Sequence, residues 1–185
     1  MIDDELKNRK GFIAALDQSG GSSRKILTNY GINETEYKND EEMFDLIHKM
    51  RSRIITNPEF TGDSIFGVIL FKHTMNNKID GIDTVEYLKQ KNILSFLKID
   101  EGLEDLCDGV RLLKDIPNLD DVLTSAKKHG IIGTKMRSVI YDYNEFGIKT
   151  LIREQFSIAI EISKYGLIPI IEPEIDINAK TKRQI

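Results

Sequence analysis

The sequence predicts an α/β fold, a (β/α)8 barrel of which about five β/α units are present. Three observations predict it. Short apolar runs alternate with longer amphipathic stretches along the chain, the pattern of parallel strands joined by helices. The runs end in ionisable residues: Asp17, Lys98 with Asp100, Lys135 with Arg137, and Glu172 with Glu174 close four of the five. A doubly wound sheet also fits the alternation, but a ring of charged strand ends suits a barrel, which gathers all its strand ends around one mouth. A complete barrel takes about 250 residues. The chain of 185 residues is therefore expected to be cut short, one incomplete domain over residues 1–185 with no second domain.

The first run, residues 11–17 (GFIAALD), closes on Asp17 and leads into Gln18-Ser19-Gly20-Gly21-Ser22-Ser23. Two glycines flanked by serines turn the backbone sharply and expose N–H groups, as an oxyanion or phosphate cradle does and as many plain turns do. Residues 39–55 read as a helix, with Asp40, Glu41 and Glu42 in its first turn and Met43, Phe44, Ile47, Met50 and Ile54 as its apolar stripe. His48 and Arg51 then fall on the solvent side. The second strand, residues 64–71, precedes Lys72, His73 and Thr74, read as the start of a loop.

Residues 83–91 form a short helix with Val85 and Leu88 inward, and residues 93–100 (ILSFLKID) the third strand. Side chains alternate along a strand, so Phe96, Lys98 and Asp100 share a face. Residues 101–117 show no period and read as a polar connection. Asn118 is placed as the N-cap of a helix that Gly130 stops. The fourth strand, residues 131–137, puts Lys135 and Arg137 on one face. Residues 144–165 are the longest helix, with Ile148, Leu151, Ile152, Phe156, Ala159 and Ile160 as its buried stripe. The fifth strand, residues 166–175, carries Ile168, Ile170, Glu172 and Glu174 on one face, apolar first and acidic last. Taken alone, that stretch reads equally well as two solvated glutamates beyond a strand end.

Composition narrows the function. With 40% hydrophobic and 30% charged residues the chain is an ordinary globular one. A net charge of −4 and a pI near 5.5 leave no electrostatic footprint for nucleic acid or an anionic membrane. The lone Cys107 sits among acidic residues and is read as a bystander. The N-terminal MIDDELKNRK lacks the apolar core of a signal peptide and no run approaches a membrane span, so a cytoplasmic protein is expected. His48, His73 and His129 lack ligand spacing, which argues against zinc. Lysines repeated beside carboxylates at strand ends suggest amine chemistry: a lysine among cations loses basicity and becomes nucleophilic, while a nearby glutamate shuttles protons.

In order and spacing, GFIAALDQSGGS, GVILF, FLKIDEG, GTKMRS and GLIPIIEPEI resemble the first five strands of class I fructose-bisphosphate aldolases, notably the bacterial form. The resemblance implies a Schiff-base (β/α)8 lyase of glycolysis and gluconeogenesis. It reversibly cleaves fructose 1,6-bisphosphate to dihydroxyacetone phosphate and glyceraldehyde 3-phosphate, without metal or other cofactor. Asp17 then matches the first-strand aspartate near the scissile bond and Lys98 a substrate-binding lysine. Lys135 and Arg137 match the fourth-strand pair that contacts substrate and stabilises charge as the carbon–carbon bond breaks. Glu172 matches the proton acceptor and donor, and Glu174 its companion. Ser19, Ser22 and Lys25 lie where the family's first loop approaches substrate and phosphate, while Ile26 stands where animal members carry a basic residue.

The family's Schiff-base lysine lies on the sixth strand, and its main phosphate loops follow the seventh and eighth. None has a counterpart here, so this polypeptide is expected to be inactive alone, with its open edge favouring association into oligomers. Two other readings compete. One is a non-catalytic half-barrel that binds sugar phosphates or completes a barrel with another chain. The other is a Schiff-base barrel aldolase for a different sugar phosphate, which the combined EPE and TKMR segments disfavour.

Overall fold

The structure, a computed structural model, describes residues 6–8 and 10–185; much of the N-terminal stretch read for a signal segment lies outside them. The chain divides into two compact units, Met1–Leu97 and Lys98–Ile185.

In the first unit, β1 (Phe12–Leu16) pairs in parallel with β2 (Ile65–Leu70), which pairs in parallel with β5 (Leu94–Lys98). The middle strand IFGVIL is apolar throughout because both its faces are covered, as in any interior parallel strand. Between β1 and β2 run α1 (Gly21–Asn29) and α2 (Asp40–Thr56). The Asn39 side chain caps α2 by accepting from the Glu42 N–H at 2.9 Å, and three acidic residues in the first turn complement the helix dipole. Met43 and Ile47 pack with Leu27 and Tyr37.

Two expectations fail in this unit. The buried face of α2 runs Met43, Ile47, Arg51, Ile55, so Arg51 is fully buried rather than solvent-side, and His48 is half-buried with Nε2 3.0 Å from the Lys78 carbonyl. A step of four residues keeps one helix face inward, and the inward stripe continues through a charged residue. Lys72, His73 and Thr74 do not open a loop but form a helical turn, α3 (Lys72–Met75), whose Thr74 is buried. The short ribbon β3 (Lys78–Ile79) and β4 (Ile82–Asp83) and the helix α4 (Thr84–Gln90) complete the unit.

The second unit is built on β7 (Gly133–Ile140), buried along nearly its whole length. It is flanked on one side by β6 (Val110–Arg111), antiparallel, and on the other by β8 (Ile168–Ile175), parallel from Gly133 opposite Ile168 to Ile140 opposite Ile175. The strand β6 lies inside the stretch expected to be a featureless connection. Bridges Leu103 to Leu113 and Cys107 to Val110 fold that stretch on itself, and Val110 and Leu113 bury what the polar sequence average hid. The helix α5 (Leu119–Lys128) follows. Its Asn118 takes a left-handed conformation at φ 54° and makes no side-chain cap, contrary to its expected role.

The helix α6 (Glu145–Lys164) connects β7 to β8 and starts on Asn144, whose side chain accepts from the Gly147 N–H at 3.0 Å. Gly147 is needed there: a Cβ would collide with the Asp108 carbonyl. The helix ends at Gly166, whose φ of 71° favours glycine. Its buried set is Gly147, Leu151, Gln155, Ala159 and Ile162. Leu151 and Ala159 are as expected, but Ile152, Phe156 and Ile160 are 45%, 56% and 59% exposed. The stripe expected from the sequence was too wide, because half of it lies a third of a turn away from the sheet. No described helix is long and apolar enough to cross a membrane.

Candidate active site

Two neighbouring parallel strands place the best-defined charged cluster. In register, Lys135 lies opposite Ile170 and Arg137 opposite Glu172. Each cation nevertheless leans one step further along β8: Lys135 Nζ is 2.7 Å from Glu172 Oε2, and Arg137 Nη1 is 2.8 Å from Glu174 Oε2. The diagonal follows from alternation, because residues 135 and 137 share one face of β7 while 170, 172 and 174 share the matching face of β8. The two pairs are not equivalent. The Lys135 side chain is only 11% exposed, whereas both members of the Arg137 pair are 41% exposed and contribute little to stability.

The other face of β7 holds it in place. Ser138 accepts a 2.7 Å hydrogen bond from Gln155 Nε2 of α6, both residues being buried. The segment 98–100 lies alongside, with the Ile99 N–H donating to the Lys135 carbonyl at 3.0 Å. There Lys98 Nζ donates at 2.7 Å both to Asp100 Oδ1 and to the Asp100 carbonyl. Asp100 is 7% exposed, and its Oδ2 is buried with no hydrogen-bond partner. Asp100 therefore holds the Lys98 ammonium in one place, a role carried by geometry that strand alternation foreshadowed.

The remaining expected site residues lie in the first unit. Asp17 directly follows β1 and is buried at 6% exposure. The loop after it is internally bonded: Ser22 Oγ donates to the Ser19 carbonyl at 2.7 Å and Ser23 Oγ to the Gln18 carbonyl at 3.2 Å. Ser19 is half-buried, while Ser22 and Lys25 are exposed. The sequence reading missed Arg51. Its Nη1 donates to Thr74 Oγ1 at 2.8 Å and its Nη2 to the Gln18 carbonyl at 2.5 Å. Burial lowers its pKa to about 10, against the opposing pull of Asp17. Its signal was available: an arginine four residues from Ile47 and four from Ile55 occupies a stripe position.

Ammonium and guanidinium groups on β7, each against a carboxylate of β8, form a set that can receive an anionic substrate group and hand protons to it. Among the described residues no group of three or more His, Cys, Asp or Glu side chains is arranged to hold a metal ion.

Comparison with known proteins bears on the family and the fold. A family model described as fructose-bisphosphate aldolase class-I matches residues 4–182. A solved structure of fructose-bisphosphate aldolase from Plasmodium falciparum, a ternary co-crystal with TRAP and a small-molecule inhibitor, matches with a TM-score of 0.69 at 23% identity. The match covers 92% of this chain and 49% of that one, so the chain spans about half the length of the aldolase it resembles. The fold is a portion of an α/β barrel.

Proposed function

This chain belongs to the class I fructose-bisphosphate aldolase family, and from that premise we propose that its cluster of charged strand residues is one share of a Schiff-base active site. The reaction is the reversible cleavage of fructose 1,6-bisphosphate to dihydroxyacetone phosphate and glyceraldehyde 3-phosphate, in cytoplasmic glycolysis and gluconeogenesis. Glu172 accepts and returns the protons of carbinolamine formation and dehydration. Lys135, 2.7 Å away, orients that carboxylate and stabilises negative charge as the carbon–carbon bond breaks. Arg137 and Lys98 bind the substrate, with Glu174 orienting Arg137. Asp17 acts at the scissile bond, and Ser19, Ser22 and Lys25 face a substrate phosphate. The one observation that carries the reading is the Lys135–Glu172 pair, a nearly buried ammonium 2.7 Å from a half-exposed carboxylate on the shared face of two parallel strands.

The imine-forming lysine is supplied by a later strand. A polypeptide of these 185 residues alone therefore forms no imine: treatment with dihydroxyacetone phosphate and borohydride is expected to leave it unlabelled, and stable labelling would contradict the assignment of Lys98 and Lys135 to other work. Joined in frame to the later β/α units of a family member, the chain is expected to support cleavage. In that fusion Glu172→Ala lowers kcat by at least about 100-fold, the usual weight of a proton-transfer residue. A fusion that cleaves fructose 1,6-bisphosphate equally well with and without Glu172 would overturn the proposal.

A further inference from the structure

Just beyond β2, the turn α3 carries a histidine whose protonation state is dictated by its neighbours. The Asn77 side chain meets His73 twice: Nδ2 donates to the His73 carbonyl at 2.8 Å and stands 3.3 Å from the ring Nδ1. A carbonyl only accepts, so the amide nitrogen has to face it; turning the amide over would set Oδ1 against that carbonyl. The ring nitrogen beside Asn77 therefore meets a donor and is the unprotonated one. The ring proton then sits on Nε2, 3.2 Å from Asp45 Oδ1. Asn77 is itself held in place. Its own carbonyl accepts from the N–H of the buried Thr84 at 3.1 Å and from the Thr84 hydroxyl at 2.7 Å, where α4 begins. These contacts suit a neutral imidazole. A proton on Nδ1 sets two donors face to face, and relieving that contact breaks the Asn77 bonds that close the turn.

Two further observations agree. The His73 side chain is only 23% exposed and stacks on Phe44 with centroids 5.7 Å apart, so a charge on the ring is poorly hydrated. Its pKa lies below the usual imidazole value, through burial first, with Asp45 opposing and His48 and Arg51 adding to the fall. Those three groups all face the ring from α2. Of the other elements packed there, α3 contributes Lys72, the preceding residue, and the β3–β4 ribbon contributes the exposed Lys78–Asp83 pair at 3.8 Å, whose charges offset each other.

The turn also supports a more distant loop. Thr74, the next residue, accepts from Arg51 Nη1 at 2.8 Å, and the same guanidinium holds the Gln18 carbonyl of the loop that follows Asp17. The Met75 and Asn76 N–H groups close the turn on the Phe71 and Lys72 carbonyls, both at 3.1 Å, and the Asn77 N–H donates to the Thr74 carbonyl at 3.3 Å. We propose that His73 and Asn77 form a pH-sensitive latch: closed on the neutral imidazole, it keeps Thr74 under Arg51 and so fixes the loop after Asp17, and protonation of His73 opens it. The device is independent of which reaction the site performs. A histidine whose folded pKa is depressed contributes its stability in full above its ordinary value of about 6.5 and loses it as pH falls through the folded value.

The test is nuclear magnetic resonance on the isotopically labelled 185-residue chain, titrated from about pH 7.5 to about pH 5. At the upper end the His73 ring nitrogens show the Nε2–H form. As pH falls, opening at the Met75, Asn76 and Asn77 amides, read from exchange relative to the intrinsic rate at each pH, rises at least about threefold. The Arg51 guanidinium signals shift with the same midpoint as His73. His73→Gln removes this response. Asn77→Asp reverses it, because a carboxylate then faces Nδ1: its His73 titrates at higher pH than the parent's, and acid protects the three amides instead of opening them. If His73→Gln does not fold, the Asn77→Asp comparison decides alone. An Nδ1–H ring, opening that is independent of pH, a response that survives His73→Gln, Arg51 signals that ignore the His73 titration, or an Asn77→Asp variant that opens in acid as the parent does each overturns the proposal.

Discussion

Arg51 joins the sequence of α2 to the loop that follows Asp17. A guanidinium reaches the Gln18 carbonyl and the Thr74 hydroxyl with two separate nitrogens fixed in one plane, a span that the single nitrogen of a lysine does not reproduce. Replacing it with methionine removes the donor to Thr74 Oγ1 and leaves the Gln18 carbonyl with Ser23 Oγ alone, and is expected to cost about 3 kcal/mol, read as a lower urea midpoint. Arg51→Lys recovers less than half of that loss. A midpoint unchanged by Arg51→Met would show that the contacts carry no weight. Legibility at this scale was uneven. The faces of Lys135, Arg137, Glu172 and Glu174 could be read from alternation, but their place along the strand could not: the fourth strand, expected to end at residue 137, runs to Ile140 and leaves Lys135 near its start. Arg51 was read as solvent-side because charge was weighed above position on the stripe, and its partners, 23 and 33 residues away, are set only by tertiary packing.

At the scale of elements, α6 was correctly expected over nearly its whole length, since its cap at Asn144 and its stop at Gly166 are both local signals. The width of its buried face was not legible. Apolar periodicity tells which residues prefer burial, whereas the neighbours available decide which achieve it. Glu154 on the same helix gives a prediction with a definite sign. Burial raises its pKa, with the Leu113 N–H partly opposing, so folding favours the protonated form. The stability gained from that group is complete below its unfolded pKa and is lost as pH rises through the folded value. Glu154→Gln keeps an acceptor for Leu113 and removes the ionisation penalty. It is expected to raise Tm at pH 7 by about 2 °C and to leave it unchanged near about pH 4. A lower Tm at pH 7 would mean that the ionised carboxylate stabilises the fold.

Across the whole molecule, the alternation of strands and helices was legible because parallel strands are apolar runs separated by helices long enough to cross over. The stretch 101–117 was not, since β6 is two residues long and is held by bridges that no local pattern announces. Of the candidate site, the pairing partners were foreseeable in kind but not in detail: the register sets Lys135 opposite Ile170, and only the diagonal lean of its side chain brings Nζ to Glu172. That diagonal underlies the central claim, that the charged face shared by these strands forms a sugar-phosphate site.

The most direct measurement is a titration of the isotopically labelled chain with dihydroxyacetone phosphate, followed by nuclear magnetic resonance. The account predicts saturable shifts at Lys98, Lys135, Arg137 and Glu172, and a dissociation constant at least about tenfold weaker in Lys135→Met, the weight of one charge-assisted hydrogen bond. Shifts that fail to saturate, that inorganic sulfate reproduces in full, or that persist unchanged in Lys135→Met would contradict it.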